Sequence, residues 1–392
     1  MKKKIVIGIT GSIAAFKAIQ LISDLNKMDY DLEVILTEAA AKFITPLSIS
    51  SLTKKKVYMD IFDDEPDTIT HIDIVKDAEA FIIVPASANT IAKVAYGFAD
   101  NMLTAAFLAA TCPKLIAPAM NVHMYENVVT QNNIQKCKDM GMIFIEPATG
   151  LLACGDVGKG KLADNSDIIE MIQYATCKKT LSGKKVVVSA GPTQESIDPV
   201  RYITNHSSGK MGYAIAKAAR NMGADVTLVS GPTNLKKPYG VNVINIKSAE
   251  DMYNAMIKEA DDASMIIMSA AVADYTPATV ADEKMKKNDD ELSIELNRTK
   301  DILFELGQNK KQDQLICGFA METQDLIENA TKKLLKKNCD MIVANHLKTE
   351  GAGFKGDTNV VSMITIHGIK EYGLLTKEEL AYEIIHQLVK EG

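Results

Sequence analysis

The chain of 392 residues is long enough for two domains, each able to bury its own core. Its 44 Lys plus Arg against 50 Asp plus Glu leave a net charge of -6, which offers no electrostatic footprint for nucleic acid. A hydrophobic fraction of 47% with 24% charged residues describes a packed globular protein, and no apolar stretch approaches the ~18–20 residues of a membrane-spanning helix.

The basic start Lys2-Lys3-Lys4 runs through Ile5 to Thr10 into Gly11-Ser12 without a cleavage site, so a cytoplasmic first strand is expected rather than a signal peptide. That apolar run has the composition of a strand buried on both faces. A helix with Ile19, Ile22 and Leu25 on one side follows, then a second strand from Leu32 to Thr37. Two further buried strands are predicted, Ala80 to Val84 and Lys114 to Ala117. The polar stretch Cys177 to Gly183 marks a boundary near residue 180, giving domains 1–180 and 181–392.

The pattern then restarts. Lys184 to Ala190 reads as a strand, Ala214 to Met222 as a helix after a polar insertion, and Ala224 to Ser230 as the returning strand. Met265 to Met268 and Met341 to Ala344 are further buried strands. The fold class expected is α/β, two tandem Rossmann-like domains with mainly parallel sheets. In such sheets ligands bind beyond the carboxyl ends of the strands, so the residues after each run are the candidates for chemistry.

After the first strand, small residues from Gly8 to Ala15 lead into a helix start, where backbone N–H groups and a hydroxyl suit a phosphate. The spacing is not GxGxxG, and Thr37 stands where a ribose-binding acid would be needed, so flavin mononucleotide (FMN) suits the loop better than a dinucleotide. A tight turn that merely packs helix on sheet reads equally well from this loop alone. After the next two strands come Pro85-Ala86-Ser87-Ala88-Asn89-Thr90, Gly97 to Thr104 and Pro118-Ala119-Met120-Asn121-Val122-His123. The six cysteines, dispersed and without CxxC pairs, exclude a zinc knuckle or disulfide framework. Cys154 alone stands out, in Leu152-Ala153-Cys154-Gly155-Asp156-Val157-Gly158, a predicted loop with no helical or strand period to imply burial. By itself each of these has an ordinary reading: Cys154 as a small hydrophobe, His71 as a strand-start or capping residue, Asn121 as a turn residue.

Together, five segments over about the first 165 residues resemble the flavin-containing cysteine decarboxylases, and among them phosphopantothenoylcysteine decarboxylase. The resemblance implies a flavodoxin-like first domain holding FMN at a subunit interface, touched by Gly11, Ser12, Ile13, Ala14, Thr37, Pro85, Ala86, Ser87, Ala88 and Asn89. It implies that His71 is the essential histidine, that Asn121 grips the substrate carboxylate, and that Cys154 protonates the enethiolate left by decarboxylation. Phe16, Tyr125 and Lys161 stand where the family commonly has Tyr, Trp and Arg, and Asp100-Asn101 where paired acids are common.

In the second half, Asn205 to Gly212 offers amide, hydroxyl, ammonium and glycine backbone donors at a helix start, without the GxxxxGK[ST] pattern of a P-loop. Ser269-Ala270-Ala271-Val272-Ala273-Asp274 follows a strand, and Lys284-Met285-Lys286-Lys287 comes next. Taken alone, those lysines read as a solvated face before the acidic 288–291 segment. With Gly318 to Thr323 and Lys332 to Asn338 these segments resemble the phosphopantothenate-cysteine ligases that bacteria fuse behind the decarboxylase, and the order of the halves matches the fusion.

The resemblance implies activation of 4'-phosphopantothenate by CTP, with Mg2+ on the phosphates, through an acyl cytidylate that the cysteine amine attacks. Asn205 then binds the acyl cytidylate and Lys284 the nucleotide phosphates. Arg201, Lys210, Ser269, Ala270, Ala271, Asp274, Lys300, Asp301, Ile302, Leu303, Phe319, Lys333 and Lys337 are the further nucleotide and intermediate contacts, and no metal ligand is assigned. Small molecules are the expected partners, with no nucleic acid or membrane. The family points to trimers of the first half and dimers of the second, a dodecamer being the closed particle both symmetries would build. Two other readings stand beside this one. One is a flavoprotein scaffold or regulatory subunit with a single active half, which the full set His71, Asn121 and Cys154 opposes. The other is a flavin oxidoreductase with an unrelated nucleotide-binding partner, which the missing dinucleotide fingerprint opposes.

Overall fold

The computed structural model describes residues 2–62, 69–151, 155–286, 293–322, 326–346 and 356–392. Among the expected site residues Cys154 lies outside them, as do Leu152, Ala153, Lys287, the 288–291 segment and Thr323. The chain divides into two compact units, Met1–Cys177 and Lys178–Gly392.

In the first unit β1 (Lys4–Ile9) pairs in parallel with β2 (Asp31–Leu36) on one side and β4 (Ala80–Ala86) on the other. β3 (Val57–Tyr58), β5 (Lys114–Pro118) and β6 (Ile143–Phe144) complete the order β3-β2-β1-β4-β5-β6. Setting aside the two-residue edge strand β3, the remaining five follow the flavodoxin-like order, with the reversal between β1 and β4. Alternate residues of β1 feed opposite cores. Ile5, Ile7 and Ile9 pack with Leu21, Ile22 and Leu25, and Val6 packs with Phe81, Leu103 and Phe107. Helix Ala15–Lys27 buries Ala15, Ala18, Leu21, Ile22 and Leu25, the three-and-four spacing of one helical face.

Two elements differ from the sequence expectation. The strand predicted to end at Val84 continues through Pro85 and Ala86, which pairs with Pro118 beyond an irregularity in the register, so only Ser87 onward leaves the sheet. The segment after Cys154, expected as a loop, forms β8 (Val157–Lys161), antiparallel to β7 (Ala148–Leu151). Gly158 and Gly160 have no side chains to show a strand period.

The second unit carries β9 (Lys185–Ala190), a ribbon of β10 (Gln194–Ser196) and β11 (Tyr202–Thr204), β12 (Asp225–Ser230), β13 (Asn242–Asn245) and β14 (Met265–Met268). A second ribbon, β15 (Tyr275–Pro277) with β16 (Leu296–Arg298), precedes β17 (Leu315–Glu322), β18 (Met341–His346), β19 (Thr358–Thr365) and β20 (Gly368–Thr376). The main sheet runs β13-β12-β9-β14-β17-β18-β19-β20, parallel as far as β18 and antiparallel beyond it, with its reversal between β9 and β14. The helix predicted from Ala214 starts earlier and spans Lys210–Asn221, because Gly209, at φ +75°, turns the chain directly into its first residue. No helix among the described residues is long and apolar enough to cross a membrane.

Candidate active sites

In the first unit the reversal between β1 and β4 brings the expected flavin residues together. Thr10, 1% exposed, donates its hydroxyl to the Pro85 carbonyl at 2.7 Å and accepts the Ser87 N–H at 2.9 Å, tying the turn after β1 to the end of β4. Ser12 Oγ donates to the Ala119 carbonyl and accepts the Ala14 N–H, both at 3.3 Å, which adds the end of β5. Thr37 caps the helix Glu38–Ala41 by accepting the Ala40 N–H, and its own N–H donates to the Ile9 carbonyl at 3.1 Å. Ser87 caps helix Ala88–Ala95 in the same way through the Thr90 N–H. Gly11 to Ala14, Thr37 and Pro85 to Asn89 thus meet at the carboxyl ends of three neighbouring strands, where helix N-termini and hydroxyls converge.

His71 lies on the one-turn helix Thr70–Asp73, and its Nδ1 is buried without a hydrogen-bond partner. Asp100 and Asn101, the departure from paired acids, serve local structure. Asp100 pairs with Lys93, and Asn101 forms a capping box with Thr104 at the start of helix Met102–Ala109.

Asn121 caps the short helix Val122–Glu126 at the end of β5. Its Oδ1 accepts the His123 N–H at 2.8 Å, and its Nδ2 donates to the Asp156 carboxylate at 2.9 Å. The β7–β8 hairpin lies directly on this segment. The Met120 N–H donates to the Gly160 carbonyl at 3.0 Å, and a Cβ on Gly158 would stand 2.5 Å from the Val122 side chain. Lys159 of β8 pairs with Glu146 at 2.7 Å, and Glu146 accepts the Tyr125 hydroxyl at 3.3 Å. Burial opposes ionisation of Glu146, but Lys159 and Lys138 outweigh it and hold the carboxyl below its ordinary range. In the sequence Asp156 reads only as a neighbour of Cys154; its partner lies 35 positions away on another element.

In the second unit the turn after β9 is stitched to the residues after β14. Pro192 bridges Ala271, the Ala271 N–H donates to the Gly191 carbonyl at 2.9 Å, and the Ala273 N–H donates to Thr193 Oγ1 at 3.0 Å. Asn205 reaches the same turn, its Nδ2 shared between the Ala271 and Val272 carbonyls at 3.2 Å each. Two adjoining open clefts, of about 540 and 590 Å3, share Ala270, Val272, Asp274, Phe319 and Lys333. Asn205 to Gly212, Ser269 to Val272, Asn345, Asn359 and Lys377 line one; Asp274, Arg298 to Leu303, Lys333 and Lys337 line the other.

Five lysines of the two clefts have carboxylate or carbonyl partners within the chain. Lys210 pairs with Asp357 at 2.7 Å, Lys300 with Glu250 at 2.7 Å, and Lys337 with Asp301. Lys333 donates to the Phe319 carbonyl at 2.8 Å. Lys377, which sequence reasoning missed, is 6% exposed and donates to the Gly356 carbonyl at 2.7 Å. Burial, and then the charge of Lys210, lowers its pKa. A like-charged lysine pair above the N-terminus of helix Lys210–Asn221 makes this end of the cleft attractive to an anion.

Arg201 and Lys284 line neither cleft. Arg201 donates to Asp198 through Nε at 2.9 Å and to the Met285 carbonyl at 2.7 Å, while the Met285 N–H donates to Asp198 at 3.1 Å. The Arg201 guanidinium holds the Asp198 carboxyl well below the usual range. Arg201 therefore anchors the segment that carries the exposed Lys284. Among the described residues no cluster of three or more His, Cys, Asp or Glu is arranged to hold a metal ion.

Two doubly wound units, each with a polar site at its sheet reversal, define the general class. Residues 1–176 match the family described as Flavoprotein, and residues 181–391 match the DNA/pantothenate metabolism flavoprotein C-terminal domain. The chain is 46% identical over 392 residues to the coenzyme A biosynthesis bifunctional protein CoaBC of Bacillus subtilis, covering 98% of this chain and 96% of that one. A cysteine/cysteine sulfinic acid decarboxylase from an unknown prokaryotic organism is 45% identical over 354 residues, covering 88% and 99% of the two chains. A crystal structure of the C-terminal domain of a CoaBC protein shares 47% identity, covering 54% of this chain and 96% of that one with a TM-score of 0.47. The class is thus a two-part flavoprotein. Within it, the chain belongs to the family of bifunctional coenzyme A biosynthesis proteins.

Proposed function

We propose that the chain is a bifunctional coenzyme A biosynthesis enzyme. Residues 181–392 join 4'-phosphopantothenate to cysteine at the expense of CTP, and residues 1–180 decarboxylate the product to 4'-phosphopantetheine. The observation that carries the reading is the pair of clefts meeting at Ala270, Val272 and Asp274, one ending at helix Lys210–Asn221 and the other ringed by Lys300, Lys333 and Lys337. One anionic substrate fits each arm, and their reacting ends meet where Asn205 grips the turn after β14.

In the ligase reading, Lys300, Lys333 and Lys337 offset the charge of the nucleotide phosphates, with Asp274, Asp301, Ile302, Leu303 and Phe319 shaping that arm. Mg2+ would accompany the nucleotide, held chiefly through its phosphates. Ser269, Ala270 and Ala271 line the meeting point of the substrates, Asn205 steadies the acyl cytidylate, and Lys284 approaches from the segment that Arg201 anchors. Lys210 and Lys377 take the substrate phosphate. Replacing Lys377 by Met is expected to raise the KM for 4'-phosphopantothenate about tenfold while leaving that for CTP unchanged, measured by pyrophosphate release. An equal rise in both would place Lys377 outside the pantothenate arm.

In the decarboxylase reading, FMN fits the donor set at the reversal of the first sheet. Backbone N–H groups at helix starts and the part-buried hydroxyls of Ser12 and Ser87 suit its phosphate, and the partnerless buried Nδ1 of His71 suits a polar ligand atom. When bound, the flavin supplies the two-electron oxidation of the cysteinyl thiol and its later reversal. Asn121 orients the substrate carboxylate, the hairpin of β7 and β8 holds Asn121 in place, and Cys154 delivers the final proton. Subunits assemble so that the flavin lies between neighbours.

The similarity to a cysteine decarboxylase favours a second reading, decarboxylation of cysteine itself to cysteamine. Mass spectrometry separates the two. With cysteine alone the main reading expects no cysteamine, and with phosphopantothenoylcysteine it expects 4'-phosphopantetheine.

A further inference from the structure

The Asn121 amide that would hold the substrate carboxylate already holds one. Asp156 sits 2.9 Å from Asn121 Nδ2, and three further contacts fix this placement. The Met120 N–H bonds the Gly160 carbonyl, Lys159 pairs with Glu146, and Gly158 lets β8 approach Val122 closely. The opposite end of the amide is fixed as well, since Oδ1 accepts the His123 N–H. The carboxamide therefore cannot turn its oxygen toward Asp156, and the donor faces a carboxylate by construction. The Asn121 amide nitrogen carries two N–H groups, but two carboxylates held on it would stand within a few Å of each other and repel, so the second binds as the first gives way.

We infer that Asp156 is a specificity-determining residue that occupies, on Asn121, the position of the substrate carboxylate. The acid then binds by exchanging one carboxylate for another. The decarboxylated product has none to offer, so Asp156 regains the amide and the product is released without losing that bond. The inference rests on the reading of Asn121 as the carboxylate-binding residue.

The test uses the flavin-loaded full chain and two ligands that differ only in the carboxylate, the serine and ethanolamine amides of 4'-phosphopantothenate. Neither has a thiol to oxidise. Perturbation of the bound flavin's absorbance reports binding at the first unit alone. In Asp156→Ala the serine amide is expected to bind about tenfold more tightly than in the parent protein, with the ethanolamine amide unchanged. Asp156→Asn, which keeps volume and an acceptor without charge, is expected to shift affinity in the same direction, and its retained flavin shows that the unit is folded. Equal or weaker binding of the serine amide in both variants overturns the inference and leaves Asp156 as a residue that merely orients Asn121. If Asn121→Ala leaves the ratio of the two affinities at its parent value, the reading of Asn121 itself fails, and the inference falls with it.

Discussion

Asn205→Asp is expected to lower the rate of ligation by about 10²–10³-fold while decarboxylation of supplied phosphopantothenoylcysteine continues unchanged. The substitution is nearly isosteric, so its effect is chemical. Asn205 Nδ2 donates to the Ala271 and Val272 carbonyls, and an aspartate would set a carboxylate oxygen against those two oxygens with no proton between them. The same charge would face the anionic carboxylate and phosphates that meet there, raising the energy of the complex in which the acyl cytidylate forms. Steady-state pyrophosphate release checks the first effect and CO2 release from the same preparation checks the second. Unchanged ligation would remove Asn205 from the site, and loss of both activities would indicate a general folding defect.

Gly160→Ala is expected to lower decarboxylation by about 10²-fold or more with ligation unaffected. Gly160 has φ +151°, and a Cβ there would stand 2.5 Å from the Met120 carbonyl oxygen. The backbone must separate to admit it, breaking the bond between the Met120 N–H and the Gly160 carbonyl and displacing Asn121, the next residue. A shift of about 1 Å at a substrate-holding group is enough for a loss of this size. CO2 release is the measurement, with flavin content as the control for folding. Full decarboxylation would show that the seat of the hairpin on residues 120–122 does not position Asn121.

Much of the doubly wound architecture can be read from the sequence because strands buried on both faces declare themselves as apolar runs. Lys4 to Ile9, Ala80 to Val84, Lys185 to Ala190 and Met265 to Met268 all appear as strands of parallel sheets. Elements whose partners supply the order are harder to read. β8 is rich in glycine and lysine and is a strand only because β7 and the 120–122 segment accept it. β20 is mostly exposed and has little hydrophobic period.

The candidate sites divide in the same way. Asn205, Lys210, Ser269 to Ala271 and Asp274 belong to short segments at the ends of strands, where the α/β rule directs attention. Lys377 comes from the start of the last helix, 167 positions after Lys210, and reaches the cleft only because β19 and β20 extend the sheet antiparallel beyond β18. Arg201 and Lys284 illustrate a further limit. The resemblance implies a nucleotide or intermediate contact for each, and the hydrogen bonds give Arg201 in addition a bracing role through Asp198 and Met285. Asp156 shows the same limit in the first unit, since a loop aspartate acquires meaning only from the amide it faces.

In the proposed function one chain carries out both steps. The direct measurement is mass spectrometry of products after the purified, flavin-loaded protein is incubated with 4'-phosphopantothenate, cysteine, CTP and Mg2+. The expected product is 4'-phosphopantetheine, with one pyrophosphate and one CO2 released per molecule formed. Accumulation of phosphopantothenoylcysteine without CO2 would contradict it and leave residues 1–180 as a flavoprotein scaffold beside an active ligase.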